Sequence, residues 1–186
     1  MVLATLSETR VVTEKVLLTG RPGCGKTTLI KRVVNKLRQR AGGFYTEEIR
    51  DGRARTGFKI VTLDGDEVVF AHVDFQSAER VGKYRLDLSA LEAVGVKAIR
   101  EAVQAQRLVV VDEIGPMEIR SVFFREAVSD ALDSELPVLA TIFAGSLPFT
   151  DAVKSRPDVR LIEVRLNNRE RLVSELSDRI QAPNPG

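Results

Sequence analysis

The 186 residues suffice for one sizeable core but not two, and 44% apolar with 29% charged side chains describes a globular chain, not a disordered or membrane-embedded one. The 28 basic and 26 acidic side chains nearly cancel, so composition calls for no polyanionic partner. One cysteine, Cys24, excludes an internal disulfide and suits a reducing compartment. With no leader-like N-terminus and no run near the ~18 apolar residues of a membrane span, the chain is expected to be cytoplasmic.

Residues 1–14 carry no firm pattern and are expected to form an arm, loose or paired as an edge strand. A domain is expected over 15–181, with 182–186 a frayed tail. Lys15 to Thr19 reads as a short apolar strand. Gly20, Arg21, Pro22, Gly23, Cys24, Gly25, Lys26, Thr27 and Thr28 follow, filling the pattern G-x-x-x-x-G-K-[ST]. Leu29, Ile30, Val33, Val34 and Leu37 then recur at helical spacing, so the loop opens a helix expected to reach Arg40 and stop at Gly42-Gly43. Strand, loop and helix in that order make a phosphate-binding loop. Its glycines let successive backbone N–H groups turn inward, and the helix N-terminus adds a positive dipole end. In such a loop Lys26 reaches the β- and γ-phosphates of a nucleoside triphosphate and the Thr27 hydroxyl ligates Mg²⁺. The outer face of the helix carries Lys31, Arg32, Lys36, Arg38 and Arg40. These read as solvated cations near a helix C-terminus or, alternatively, as a nucleic-acid patch.

Residues 43–72 change character, with three extended runs broken at Asp51-Gly52 and Asp64-Gly65-Asp66. They predict an antiparallel insertion. His72, the only histidine, closes it and reads as structural. Tyr84 to Leu88 is a possible strand, and Ser89 with Glu92 predicts a capping box at the start of the next helix, which Gly95 could interrupt.

The run Leu108 to Val111 fits a strand buried on both faces and delivers Asp112 and Glu113 at its end. Downstream of a phosphate-binding loop, such a pair assigns Asp112 to Mg²⁺ and Glu113 to the attacking water as general base. Glu47 and Glu48 are the next candidates for that base. A helix is expected from Ser121 to Leu132 and a buried strand from Pro137 to Ile142. Thr141 in that strand is either a γ-phosphate sensor or a satisfied core hydroxyl. A loop with a short helical piece covers 144–156, Val159 to Val164 is the last strand, and Asn167 or Asn168 with Glu170 should cap a final helix from Arg169.

The segments GRPGCGKTTLI, GGFYTEEIR, RTGFKIVTLDG, VGKYRLDLSALE and VVVDEIGPMEIRS resemble the small P-loop nucleoside-triphosphatase family that includes the human cancer-related nucleoside-triphosphatase and thermophilic homologues. The resemblance runs from Lys15 to Ile180. It implies an α/β P-loop NTPase of RecA-like type, a three-layer sandwich in which the Val138–Ile142 strand lies between the strands carrying Lys26 and Asp112. It also implies Mg²⁺-dependent hydrolysis of ATP, GTP, CTP and UTP with little base preference; a monomer is expected. Lys26, Thr27, Asp112 and Glu113 take the family's positions in the two nucleotide-site motifs. Phe143-Ala144-Gly145-Ser146 departs from expectation, being without a basic residue. No N-K-x-D guanine motif or L-S-G-G-Q signature is present, which argues against a GTPase switch or a transporter ATPase. A phosphotransferase using a nucleoside or RNA-end hydroxyl would share the same machinery, as would a nucleotide-gated binding module.

Overall fold

The computed structural model describes residues 14–37 and 41–180. The expected arm, apart from Glu14, the helix end at Arg40 and the tail at 182–186 lie outside the described residues. The strands are β1 (Lys15–Thr19), β2 (Ala41–Asp51), β3 (Ala54–Thr62), β4 (Glu67–His72), β5 (Arg80–Val81), β6 (Tyr84–Leu86), β7 (Leu108–Ile114), β8 (Val138–Ile142) and β9 (Val159–Glu163). The helices are α1 (Lys26–Leu37), α2 (Leu88–Ala90), α3 (Lys97–Gln104), α4 (Val122–Asp133), α5 (Pro148–Lys154) and α6 (Arg169–Arg179).

One sheet has the order β5-β6-β4-β3-β2-β7-β8-β1-β9. The run β2-β7-β8-β1-β9 is parallel, and β3 to β6 extend it antiparallel. As the resemblance implied, β8 sits between β1 and β7, so the phosphate-binding loop and the Asp112-Glu113 pair leave the same end of the sheet from strands separated by one other. Ligand sites in open parallel sheets form at that carboxyl end.

Alternation along each buried strand builds the three layers. Val16 and Leu18, with Leu108 and Val110, face α1 and α6, where Leu29, Ile30, Val33, Leu172, Val173 and Leu176 close the core. Leu17, Val109 and Val111 face the other way, onto Phe44, Ile99, Phe124 and Val128. Each fully buried aliphatic side chain contributes about 1.5–3 kcal/mol relative to exposure.

Four local expectations change. Gly42 and Gly43 lie within β2 and do not simply end α1. Gly43, at φ 108°, takes a conformation that favours glycine, and a Cβ there would fall 2.0 Å from the Val110 carbonyl oxygen. The first half of β2 thus belongs to the parallel set, Tyr45 pairing with Asp112, and its second half runs on into the hairpin with β3. Asp87, not Ser89, caps the helix at 88–104, accepting from the Ala90 N–H at 3.0 Å. Gly95 does not interrupt that helix but widens it into a π-helical segment over Leu91–Val96, where a Cβ would press at 3.2 Å on Ile60, Leu91 and Phe44. Asn168 stands at the N-cap of α6 without capping it, because its side chain accepts from the Arg165 N–H at 2.8 Å and donates to the Glu163 carbonyl at 3.0 Å.

Candidate active site

The loop between β1 and α1 turns through Gly20, Gly23 and Gly25, at φ 145°, 76° and 94°. A Cβ at Gly20 would sit 2.7 Å from the Val164 carbonyl oxygen, so the loop needs glycine there to pack against the end of β9. Lys26 Nζ folds back and donates to the Gly20 carbonyl at 3.1 Å, holding its charge at the loop. Thr27 follows in the first turn of α1, facing β7.

Asp112 is 2% exposed near the end of β7, and the fully buried Thr141 on the adjacent β8 donates its hydroxyl to Asp112 Oδ1. Of the two readings of Thr141, this is the satisfied core hydroxyl, and it orients the carboxylate. The peptide bond between Asp112 and Glu113 is cis. Burial pushes the Asp112 carboxyl above its ordinary range, while the Thr141 and Thr27 hydroxyls and the charges of Lys26 and Lys31 pull it back. Glu113 is likewise raised by burial, lowered by Lys26 and raised again by Asp112. Lys26 thus acts on both carboxylates. Asp112 Oδ2 is buried without a hydrogen-bond partner. An orphaned carboxylate oxygen close to the Thr27 hydroxyl is a hard-oxygen donor set of the kind Mg²⁺ takes, so these residues fit the cation.

Glu118, which sequence reasoning passed over, is also buried here, 6% exposed. A Cβ on Gly115 would lie 3.0 Å from its Oε2 and 3.3 Å from Glu113 Cγ, so Glu118 and Glu113 approach the same turn. Burial, reinforced by the charges of Glu113 and Asp112, raises its carboxyl to about 8. Between its ordinary 4.5 and about 8 the folded chain keeps a proton that the unfolded chain releases. Stability therefore falls as pH rises through that window, by at most about 1.4 kcal/mol per pH unit. Glu118→Gln should melt like the unsubstituted chain near pH 4.5 and at higher temperature above pH 8. Thermal melts of both across that range check this, and parallel pH dependences would contradict it.

The segment Phe143 to Ser146 brings no cation. The nearest basic side chain along that stretch, Lys154, is tied to the Gly145 carbonyl at 2.7 Å and to Asp151 at 2.8 Å. On the other side of the phosphate-binding loop, Arg21, Pro22, Gly23 and Cys24 face Glu163 to Asn167 across a cleft of about 650 Å³. Leu166 is 73% exposed at its edge, and Arg165 pairs with Glu163 at 2.6 Å. Arg169, at the start of α6, lies against Gly25.

On the basic face of α1, Lys31 and Arg32 are engaged within the chain, while Arg38 and Arg40 lie outside the described residues. Lys31 pairs with Glu47 at 2.8 Å and lies 3.8 Å over the Tyr45 ring, and Arg32 makes a bidentate pair with Glu170 at 2.6 and 2.8 Å. That pair takes Glu170 away from the capping role expected of it. Glu47 is also engaged by Lys59 at 3.4 Å, and Glu48 by Arg50 and Arg55. His72 accepts from the Asp74 N–H at 3.2 Å, a structural role as expected.

Comparison with known proteins agrees with this geometry. A family model described as NTPase matches residues 15–177. The nucleoside-triphosphatase THEP1 of Thermotoga maritima is 51% identical over 162 residues, covering 87% of this chain and 92% of its own. The crystal structure of THEP1 from Aquifex aeolicus superposes with a TM-score of 0.82 at 34% identity, over 87% of this chain and 96% of that one. The solution structure of a human cancer-related nucleoside triphosphatase does so with a TM-score of 0.78 at 34% identity, over 92% and 100%. With the family model covering most of its length and relatives this similar, the chain belongs to the NTPase family.

Proposed function

We propose that this chain is an Mg²⁺-dependent phosphohydrolase that cleaves the β–γ anhydride of nucleoside triphosphates with little regard for the base. The observation that carries the proposal is that the loop bearing Lys26 and the Asp112-Glu113 pair leave the same end of the sheet, from the strands on either side of β8. Lys26 and the backbone N–H groups of Gly23 to Thr28 would bind the phosphates. Thr27 and Asp112 would hold the cation, which when bound offsets charge on the β- and γ-oxygens. Glu113 would orient a water and take its proton as the water oxygen attacks the γ-phosphorus and the β–γ bridging bond breaks. Its burial supports a base more basic than an exposed carboxylate, and the charge of Lys26 opposes that rise.

The cleft between Arg21–Cys24 and Glu163–Asn167 adjoins the loop and suits the nucleoside. Pro22 and Leu166 offer apolar contact, and the guanidinium planes of Arg21 and Arg165 can stack on any base. A site that packs the base's faces without hydrogen-bonding its edges discriminates weakly. The four common triphosphates should therefore give kcat/KM values within about two orders of magnitude of one another. Phosphate release from each, with Mg²⁺ and with chelator, tests this reading. A steep preference for one base, or full turnover in chelator, would overturn it.

A further inference from the structure

Arg169 is held where a nucleotide ligand would meet it. A Cβ at Gly25 would lie 2.5 Å from Arg169 Nη1, 3.0 Å from Cδ and 3.4 Å from Cζ, so the guanidinium lies on the glycine that precedes Lys26. Only the absence of a side chain at residue 25 permits that approach. Arg169 Nε is buried and has no hydrogen-bond partner. The adjacent carboxylate that could neutralise it, Glu170, is held bidentately by Arg32 instead. Arg169 makes no salt bridge among the described residues. A guanidinium with a desolvated, unpartnered N–H is costly unless an anion completes it.

Its place along the loop decides which anion. Gly25, Thr28, Arg32, Arg169 and Glu170 line one small groove of about 160 Å³ where the loop passes into α1, with the Glu170 carboxylate paired to Arg32. The segment just before Arg169, Glu163 to Asn167, lines the nucleoside cleft. Arg169 therefore stands at the nucleoside end of the loop. We propose that Arg169 donates to the α-phosphate of the bound nucleotide, anchoring the end that does not react. The proposal rests on the reading of this loop as a nucleoside-triphosphate site. A guanidinium presents N–H groups in a fixed fork that suits two phosphate oxygens.

A contact to the α-phosphate is made equally to substrate and product and is unchanged during γ-transfer, so it contributes uniform binding. The test is calorimetry with ADP, which has no γ-phosphate, alongside steady-state ATP kinetics, on the unsubstituted chain, Arg169→Ala, Arg169→Lys and Arg169→Gln. Arg169→Ala should weaken ADP about ten- to hundredfold, the scale of one charge-assisted hydrogen bond, and raise KM in parallel, with kcat within about threefold. Arg169→Lys should recover part of the loss. Arg169→Gln, which keeps length and polarity without charge, should not, and serves if the alanine variant folds poorly. Unchanged ADP affinity in the alanine and glutamine variants would overturn the assignment, as would a fall in kcat at constant KM, which places the cation at the γ-phosphate. Failure of the unsubstituted chain to bind ADP would sink the nucleotide-site reading along with it.

Discussion

Glu113→Gln should bind Mg²⁺ and nucleotide about as well as the unsubstituted chain while its kcat falls by roughly 10²- to 10⁴-fold, the scale of a lost general base. The amide keeps the shape of the carboxylate but cannot accept the water proton. Glu113 is largely buried next to Asp112, and burial raises its carboxyl while Lys26 opposes that rise. As the proposed base, its contribution would be confined to the step in which the water loses its proton, so removing it should lower kcat and kcat/KM together and leave binding intact. Single-turnover kinetics with calorimetry on a non-hydrolysable analogue separate the two quantities. Near-normal turnover with intact binding would move the base elsewhere. The β2 carboxylates, Glu47 and Glu48, are less suited to that task. Each is held by two cations, Glu47 by Lys31 and Lys59 and Glu48 by Arg50 and Arg55. Pairing also pulls the Glu47 carboxyl below its ordinary value, making it a weaker base.

Lys26→Ala should reduce turnover by about a thousandfold or more and weaken triphosphate binding at least tenfold. Unlike Glu113, Lys26 in its proposed role would meet the phosphates in the ground state as well as during transfer, so both quantities should suffer. Its ammonium hydrogen-bonds the Gly20 carbonyl and belongs to neither hydrophobic core, so the substitution should leave the fold intact. Unchanged affinity for a non-hydrolysable triphosphate would rule out the phosphate contact.

The parts of this site that were legible in the sequence are those whose residue types answer to local backbone demands. Gly20, Gly23 and Gly25 sit at positive φ, and Lys26-Thr27 opens a helix directly behind them, so strand, loop and helix are written in one stretch. Leu108 to Val111 is apolar throughout because both faces of β7 are covered, and the strand order followed from resemblance. What could not be read depends on contacts distant in sequence. Asp87 displaced Ser89 as the cap because its own N–H is fixed to the Phe70 carbonyl at 2.7 Å, which sets where the helix may begin. Gly43 looked like a helix stop because its reason, the close approach of Val110, lies on another strand. Glu118 lies in a segment that carries the resemblance but was given no role there, and Arg169 falls in no quoted motif. One is notable only for its burial beside Glu113, the other for lying on Gly25, and both facts exist only once the chain has folded.

The central claim is that water, not a hydroxyl, accepts the phosphoryl group. A phosphotransferase would use the same Lys26, Thr27 and Asp112, with Glu113 deprotonating an acceptor hydroxyl instead. Incubating the protein with Mg²⁺ and γ-labelled triphosphate, with and without pooled nucleosides and RNA, separates the two directly. Free labelled phosphate released at the same rate in both arms is the result this account predicts; label carried onto a nucleoside or an RNA end, with little release in the arm without acceptors, would contradict it.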